Sequence, residues 1–320
     1  MNSIFFDNSK SLLISTNSNG YSIYNLTNFN KIYQNDSLSY SLKMCKILYN
    51  TNIILFIPSN KENEIIIYDE KNKKEIGSIN FKENVIYNFE IIKNYIFIQL
   101  KNCIKIFDLI TLNLMNEIND VDNENSFILY ENKNFVVCIN ILSSNKNIIK
   151  INKLNQNNND FIFDIIKTNL NNNIINIAID NKNFEYFVCV DNNLNLNLFK
   201  NENFDLIFES KIKSIFNIIN IYLFKNEFLL VLFSNNHIEI YNLNNNNNNE
   251  NNENFLNVFC EYKLEKDFLD IENKKNKILI DFYKKSEFLI INSLKNSFKK
   301  IKFNTQEKNN IWEILKLNYI

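Results

Sequence analysis

The chain has 320 residues, 45% of them hydrophobic, and a formal net charge of −1 at pH 7; that suits one large all-β domain or two ordinary ones and removes the electrostatic warrant for nucleic-acid binding or a polybasic membrane anchor. All 35 basic side chains are lysines, so the planar bidentate fork with which arginine grips phosphate and carboxylate is excluded throughout. His237 is the single histidine, which excludes multi-histidine metal sites and leaves one candidate for any Ser-His-Asp triad.

Elements follow in chain order as short apolar runs between polar turns. The stretch "SLLISTNSNGYSIYNL" (11–26) reads as two strands around a turn at 16–20, with Gly20 as the turn glycine of a hairpin. Further strands are expected at "EIIIYD" (64–69), "YIFIQL" (95–100), "CIKIFDL" (103–109) and "FVVCINIL" (135–142), then at "EYFVCV" (185–190), "LNLNLF" (194–199), "EFLLVLF" (227–233) and "HIEIYNL" (237–243). No apolar period of 3.6 residues is sustained, so little helix is expected; the terminal "IWEILKLNYI" reads as a strand or a single helical turn. Asparagine makes up roughly a fifth of the chain while glycine occurs only at 20 and 77. Asparagine tolerates the left-handed backbone region, so "DNN", "SNN" and "KNN" are expected to stand where other chains use Asp-Gly or Lys-Gly. The tract at 244–254 contains only Asn and Glu and reads as a disordered loop.

Cys45, Cys103, Cys138, Cys189 and Cys260 form no CxxC pair, and four of them lie in strand-like runs. They read as buried thiols of a reducing compartment. "MNSIFFDNSK" lacks the features of a signal peptide, and runs such as "FLLVLF" are too short to span a bilayer. A soluble, cytoplasmic protein is the expectation.

A longer period overlies the strands. "YSIYNL", "IIIYDE", "IKIFDL", "LNLNLF" and "IEIYNL" share an apolar-x-apolar-aromatic form and recur at intervals of about 40 residues, the spacing of four-stranded propeller blades. Seven units, starting near residues 3, 42, 84, 126, 173, 217 and 267, use up the chain. The fold expected is all-β, a single seven-bladed WD40-like β-propeller over 1–320, with an N-terminal strand completing the last blade and removing the sheet edges.

The first unit, "SIFFDNSKSLLISTNSNGYSIYNL", resembles the opening repeat of the PROPPINs, seven-bladed propellers that bind phosphoinositides in autophagy, and Gly20-Tyr21 fits that repeat's Gly-Tyr pattern. Residues 43–109 are similar to the family's second and third repeats. Tyr68-Asp69-Glu70 stands where relatives have a Trp-Asp-Asp-like stretch, Phe81 and Val85 match a Phe-x-x-x-Val join, and "CIKIFDL" matches a strand ending in aspartate at Asp108. The resemblance is good over about the first 120 residues and rests on unit order beyond them. It implies partner docking on blades two and three, around Tyr68, Asp69, Lys101 and Asp108, by autophagy proteins including the bridge-like lipid-transfer protein. Lys101 departs from the glutamate relatives often carry.

The family's lipid chemistry rests on Phe-Arg-Arg-Gly between the fifth and sixth units. By unit count the slot is Phe208-Glu209-Ser210-Lys211, which keeps the phenylalanine and neither arginine; "IIKT" (165–168), the alternative slot, also lacks both. A histidine common in the family's sixth unit aligns with Glu239, two residues after His237. Lys211 and Lys213 offer only point charges to a polyanionic headgroup, and Glu209 repels it. The family's membrane-dipping loop in the sixth blade corresponds to the Asn tract, which carries no apolar wedge.

Other constellations carry no chemistry. The carboxylates at 122–125 and 250–254 do not match calcium-ligand spacing, and two glycines cannot form a phosphate loop. Trp312 is expected to pack against the closing blade. No cofactor, metal or catalytic set is expected. The reading is a monomeric, non-catalytic PROPPIN-like scaffold, peripheral on autophagic or endosomal membranes, with direct phosphoinositide binding weakened or lost. A lysine-based effector of the 3-phosphate and 3,5-bisphosphate lipids, and a WD-repeat subunit of an unrelated complex, are the alternatives.

Overall fold

A computed structural model describes residues 4–6, 12–26, 30–49, 51–122, 127–131, 135–155, 166–179, 185–200, 205–224, 228–235, 237–243, 258–263, 278–284, 287–292, 297–302 and 314–317. The Asn tract at 244–254 and Trp312 lie outside them. No helix among the described residues is long and apolar enough to cross a membrane.

Among the described residues, 28 strands form seven four-stranded sheets, each made of four strands consecutive in the chain. The first strands of the sheets are Ile4–Phe6, Leu42–Ile47, Asn88–Ile92, Phe127–Glu131, Ile174–Ile179, Ile218–Phe224 and Ile278–Lys284. Six begin within four residues of the unit starts read from the sequence; the seventh begins later, after a polar stretch. The N-terminal strand does not complete the last sheet, contrary to expectation. Ile4–Phe6 pairs antiparallel with Leu12–Asn17 in the first sheet. The last sheet supplies its own fourth strand, Ile314–Leu317, which pairs with Ser297–Lys302 and fills the edge an incoming strand would need.

The strands divide into two compact units. One comprises residues 1–117, 273–303 and 312–320, and the other residues 118–272 and 304–311. Where burial is described, first strands such as Leu42–Ile47 and Ile174–Ile179 and second strands are largely buried, third strands such as Cys103–Asp108 are partly so, and fourth strands meet solvent. Phe228–Phe233, "FLLVLF", is buried at every position. Lys31–Asn35 and Leu206–Lys211, fourth strands of their sheets, are largely exposed. This contrast follows from composition, since continuous apolar runs sit between neighbouring sheets and mixed runs sit at the rim. In the first unit Leu55, Ile57 and Ile65 of the second sheet pack with Phe89, Ile96 and Ile98 of the third. In the second unit Val188, Val190 and Leu196 pack with Leu229, Val231 and Phe233.

The turns differ from expectation. Left-handed backbone is taken by Tyr49, Lys73, Lys82, Lys93, Leu112, Asp120 and Leu194, and by no asparagine among the described residues. Before Lys73, Lys82, Leu112 and Leu194, an asparagine or aspartate accepts backbone N–H groups. Asn80 Oδ1 accepts from Lys82 N at 2.7 Å, and in "DNNL" Asp191 Oδ1 accepts from Asn193 N at 2.9 Å while Leu194 turns left-handed. Short side-chain acceptors thus replace glycine's freedom with a local hydrogen bond.

Gly20 is not in the turn itself. The turn is Ser18–Asn19, and Gly20 opens the following strand opposite Asn17. A Cβ at Gly20 would lie 1.8 Å from the carbonyl oxygen of Asn35 on the neighbouring strand, a contact no side chain can meet. That close approach serves a joint between the first two sheets. Asn35 Nδ2 donates to Glu70 Oε1 at 3.1 Å and to Oε2 at 3.0 Å, and the hydroxyls of Tyr21 and Tyr33 and the ammonium of Lys73 donate to the same carboxylate. Burial opposes ionisation of Glu70, but the bonds from Lys73, Tyr21, Tyr33 and Asn35 together hold its pKa below the usual value. Burial, then the bond to Glu70, pushes the Tyr21 hydroxyl far up.

Gly20→Ala is therefore expected to destabilise by about 2 kcal/mol or more, because backbone must move. Gly77→Ala meets the side-chain tips of Leu112, at 3.2 Å, and Ile67, at 3.8 Å, and is expected to cost less than about 1 kcal/mol. Urea unfolding of the two variants checks this; equal losses would show that the Asn35 contact is not the constraint.

Candidate functional site

The motif slot lies on the outer strand of the fifth sheet. Leu206–Lys211 pairs with Asn195–Lys200, setting Leu198 opposite Phe208, Asn197 opposite Glu209, Leu196 opposite Ser210 and Asn195 opposite Lys211. Strand alternation sorts the four residues. Phe208 is half-buried against the core of the second unit, and Ser210 is buried, whereas Glu209 and Lys211 face solvent. After the strand, Ile212 turns inward and its N–H donates to Leu194 O at 2.9 Å, while Lys213 stays exposed. Ser214 Oγ then accepts from Phe216 N at 3.0 Å, a local turn that leaves Ile215 93% and Phe216 41% exposed.

A cleft of about 460 Å³ opens beside this segment. Leu194, Ile212 and Phe233 give it an apolar floor, and Lys211, Lys213, Ile215 and Phe216 form one wall. The opposite wall is Asn235, His237 and Glu239 of the sixth sheet. His237 Nε2 lies 3.5 Å from Glu239 Oε1 and 3.4 Å from Glu261 Oε2. Glu239 also accepts from the Tyr241 hydroxyl. Burial, then that bond, drives the pKa of the Tyr241 hydroxyl far up, so the phenol stays a donor and the carboxylate is held along its own strand. Lys211 and Lys213 are the lysines among the cleft's lining residues. No group of metal-ligating side chains occurs among the described residues. An apolar floor with ammonium groups on its rim is equipped to bind, and its histidine is engaged by carboxylates rather than by a nucleophile.

Of the alternative slot, Ile165 lies outside the described residues, and 166–168 belong to the strand Ile166–Asn169 in the fourth sheet. The residues expected on blades two and three fall into two kinds. Tyr68 is buried beside Phe56, ring centroids 6.0 Å apart. Asp69 Oδ1 accepts from Lys71 N at 3.0 Å and Asn72 N at 3.2 Å, and Asp108 Oδ1 accepts from Ile110 N at 3.0 Å and Thr111 N at 2.6 Å. Hydrogen bonds from Asn72 hold Asp69, and from Thr111 hold Asp108, below the ordinary aspartate pKa. Lys101 is exposed in the bend before Cys103–Asp108. These residues build turns, and the turns display others that the sequence analysis passed over. Gly77, on the outer strand of the second sheet, lies against Leu112; next to it in the chain Ile76 is 49% exposed, and two residues before Leu112, Ile110 is 80% exposed. Leu114 and Met115 extend the exposed apolar surface along the next strand. The available signal was an isoleucine inside a polar turn, "DLITLN". Cys45, Cys138 and Cys189 are buried thiols whose pKa values burial pushes up.

Phe208 and Lys211 should separate in their effects. Phe208→Ala is expected to destabilise by about 2 kcal/mol through lost packing, and Lys211→Ala to change stability by less than about 0.5 kcal/mol. Thermal and urea unfolding check the pair; a stability loss at Lys211 matching that at Phe208 would contradict the placement.

No family model and no curated protein matches the sequence. Solved structures do match. Kluyveromyces lactis Hsv2 aligns over 99% of this chain and 98% of its own, with 15% identity and a TM-score of 0.77. KlAtg21, solved as a complex with the coiled coil of AgAtg16, aligns over 99% and 98%, with 16% identity and a TM-score of 0.71. The Dos1 propeller aligns over 99% of this chain and 84% of its own, at 10% identity and a TM-score of 0.64. The chain therefore has an all-β propeller fold of the PROPPIN kind.

Proposed function

We propose that this chain is a non-catalytic, seven-bladed propeller scaffold, one domain over 1–320, which docks autophagy or membrane-trafficking proteins and has weakened or lost direct phosphoinositide recognition. One observation carries the reading. Where the resembling family places two arginines, the exposed strand edge presents Glu209, the next residue Ser210 is buried, and the cleft alongside is floored by Leu194, Ile212 and Phe233. A polyphosphate headgroup needs several charge-assisted bonds, and an apolar floor would desolvate it without return.

Docking is assigned to the second and third sheets. Asp69 and Asp108 fix the turns there, and Lys101, Ile76 and Ile110 are the side chains they leave exposed. The complex of KlAtg21 with an Atg16 coiled coil supports a protein partner of that type; a bridge-like lipid-transfer protein is the partner the family resemblance adds. Peripheral residence on autophagic or endosomal membranes would then come through partners. The second reading, a lysine-based phosphoinositide effector, is favoured by Lys211 and Lys213 on the cleft wall.

Isothermal titration with the AgAtg16 coiled coil tests the docking assignment. Binding is expected, and Ile110→Asp should weaken it about tenfold, the equivalent of about 1.4 kcal/mol. Absence of binding, or binding that Ile110→Asp leaves unchanged, would refute it.

A further inference from the structure

The cleft beside Lys211 has a composition suited to a different ligand from the one its position suggests. Its volume of about 460 Å³ lies within the range of pockets that enclose compact groups, roughly 300–1,000 Å³. Ile212 and Phe233 on its floor are almost fully buried, so a group entering it meets packed apolar surface. Ile215 and Phe216 continue that surface outward, and both are held in place by the Ser214 turn rather than folded into the core. A flat bilayer cannot fill a concave floor, and a phosphorylated inositol ring would set its most polar groups against one. A large apolar side chain fills it and excludes water, which is how anchoring residues contribute most of the energy of an interface.

Charge narrows the choice further. Glu239 and Glu261 are both within reach of His237, and Glu239 also takes the Tyr241 hydroxyl. Lys211, the exposed last residue of its strand, lines the same cleft, with Glu209 two residues before it. A ligand seated on the apolar lining therefore has an ammonium group beside it.

We infer that this cleft is a docking site for a short extended segment of a partner protein, which inserts one large apolar side chain and sets a flanking carboxylate against Lys211. This site is separate from the docking assigned to the second and third sheets; it shares with that reading only the premise that headgroup recognition has gone.

Panning a phage-displayed library of short random peptides on the full-length protein tests it. Enrichment of sequences with Phe, Leu, Ile or Trp beside Asp or Glu is expected. A fluorescein-labelled copy of the dominant sequence should bind in a polarisation assay, and Ile215→Asp and Lys211→Glu should each weaken it about tenfold or more. Both side chains are exposed, so the melting temperature should hold, and AgAtg16 coiled-coil binding should be unaffected in either variant. No enrichment, enrichment without acidic residues, or an affinity indifferent to both variants would overturn the inference. So would displacement of the peptide by a soluble short-chain 3-phosphoinositide, which would make the cleft a headgroup site.

Discussion

A chain without arginine has only point-charge cations, and that constraint reaches from the core to the cleft. Lysine cannot grip a carboxylate with two parallel bonds, so each acid must be satisfied by several different donors. Glu70 shows the result: a carboxylate of the second sheet takes bonds from Tyr21, Tyr33 and Asn35 of the first, together with Lys73. Between the second and third sheets the same economy recurs. Lys46, largely buried, reaches Glu90 at 2.5 Å, and Lys43 bridges Glu62 at 2.6 Å and the carbonyl of Ile86 at 2.9 Å. In these joints lysine serves as one strut among several donors. At the cleft, where a phosphoinositide reader would need forks, Lys211 and Lys213 stand over an apolar floor instead.

How much of this the sequence revealed depends on the range of the interaction. The sheets were legible because their middle strands are short apolar runs such as "FLLVLF" or alternating ones such as "HIEIYN", a signal contained within ten residues. Their recurrence located the starts of six of the seven sheets for the same reason. Turn chemistry was half legible. Asn and Asp do mark several turns, but apart from Asp120 the left-handed positions go to neighbours such as Lys73 and Leu112, because there the Asx acceptor stabilises the turn without occupying its strained residue. Gly20 was noticed and its reason misplaced: the atom that forbids a side chain belongs to Asn35, fifteen residues on. The terminal strand Ile314–Leu317 was left between two readings, and once formed it removed the need for the N-terminal strand in the last sheet.

The site shows the same divide. The slot at Phe208 to Lys211 could be located by counting units, and its missing arginines read directly. The cleft could not be read, because its floor combines Leu194, Ile212 and Phe233 from three separate strands or joins, brought together only by stacking of the fifth and sixth sheets. The exposed surface around Ile110 was hidden for a related cause: Gly77 and Leu112 meet across two sheets, and nothing local to either announces the contact. Long-range packing therefore determines what the chain can bind, while local pattern determines only where the strands lie.

The central proposal is that this propeller has weakened or lost direct lipid recognition at the cleft. Liposome flotation at physiological salt tests it most directly, comparing vesicles with and without the 3-phosphate and 3,5-bisphosphate inositides and including a Lys211→Ala, Lys213→Ala variant. The account predicts no flotation above the inositide-free control for either protein. Inositide-dependent flotation that disappears in the variant would contradict it and show that two lysines suffice where arginines are absent.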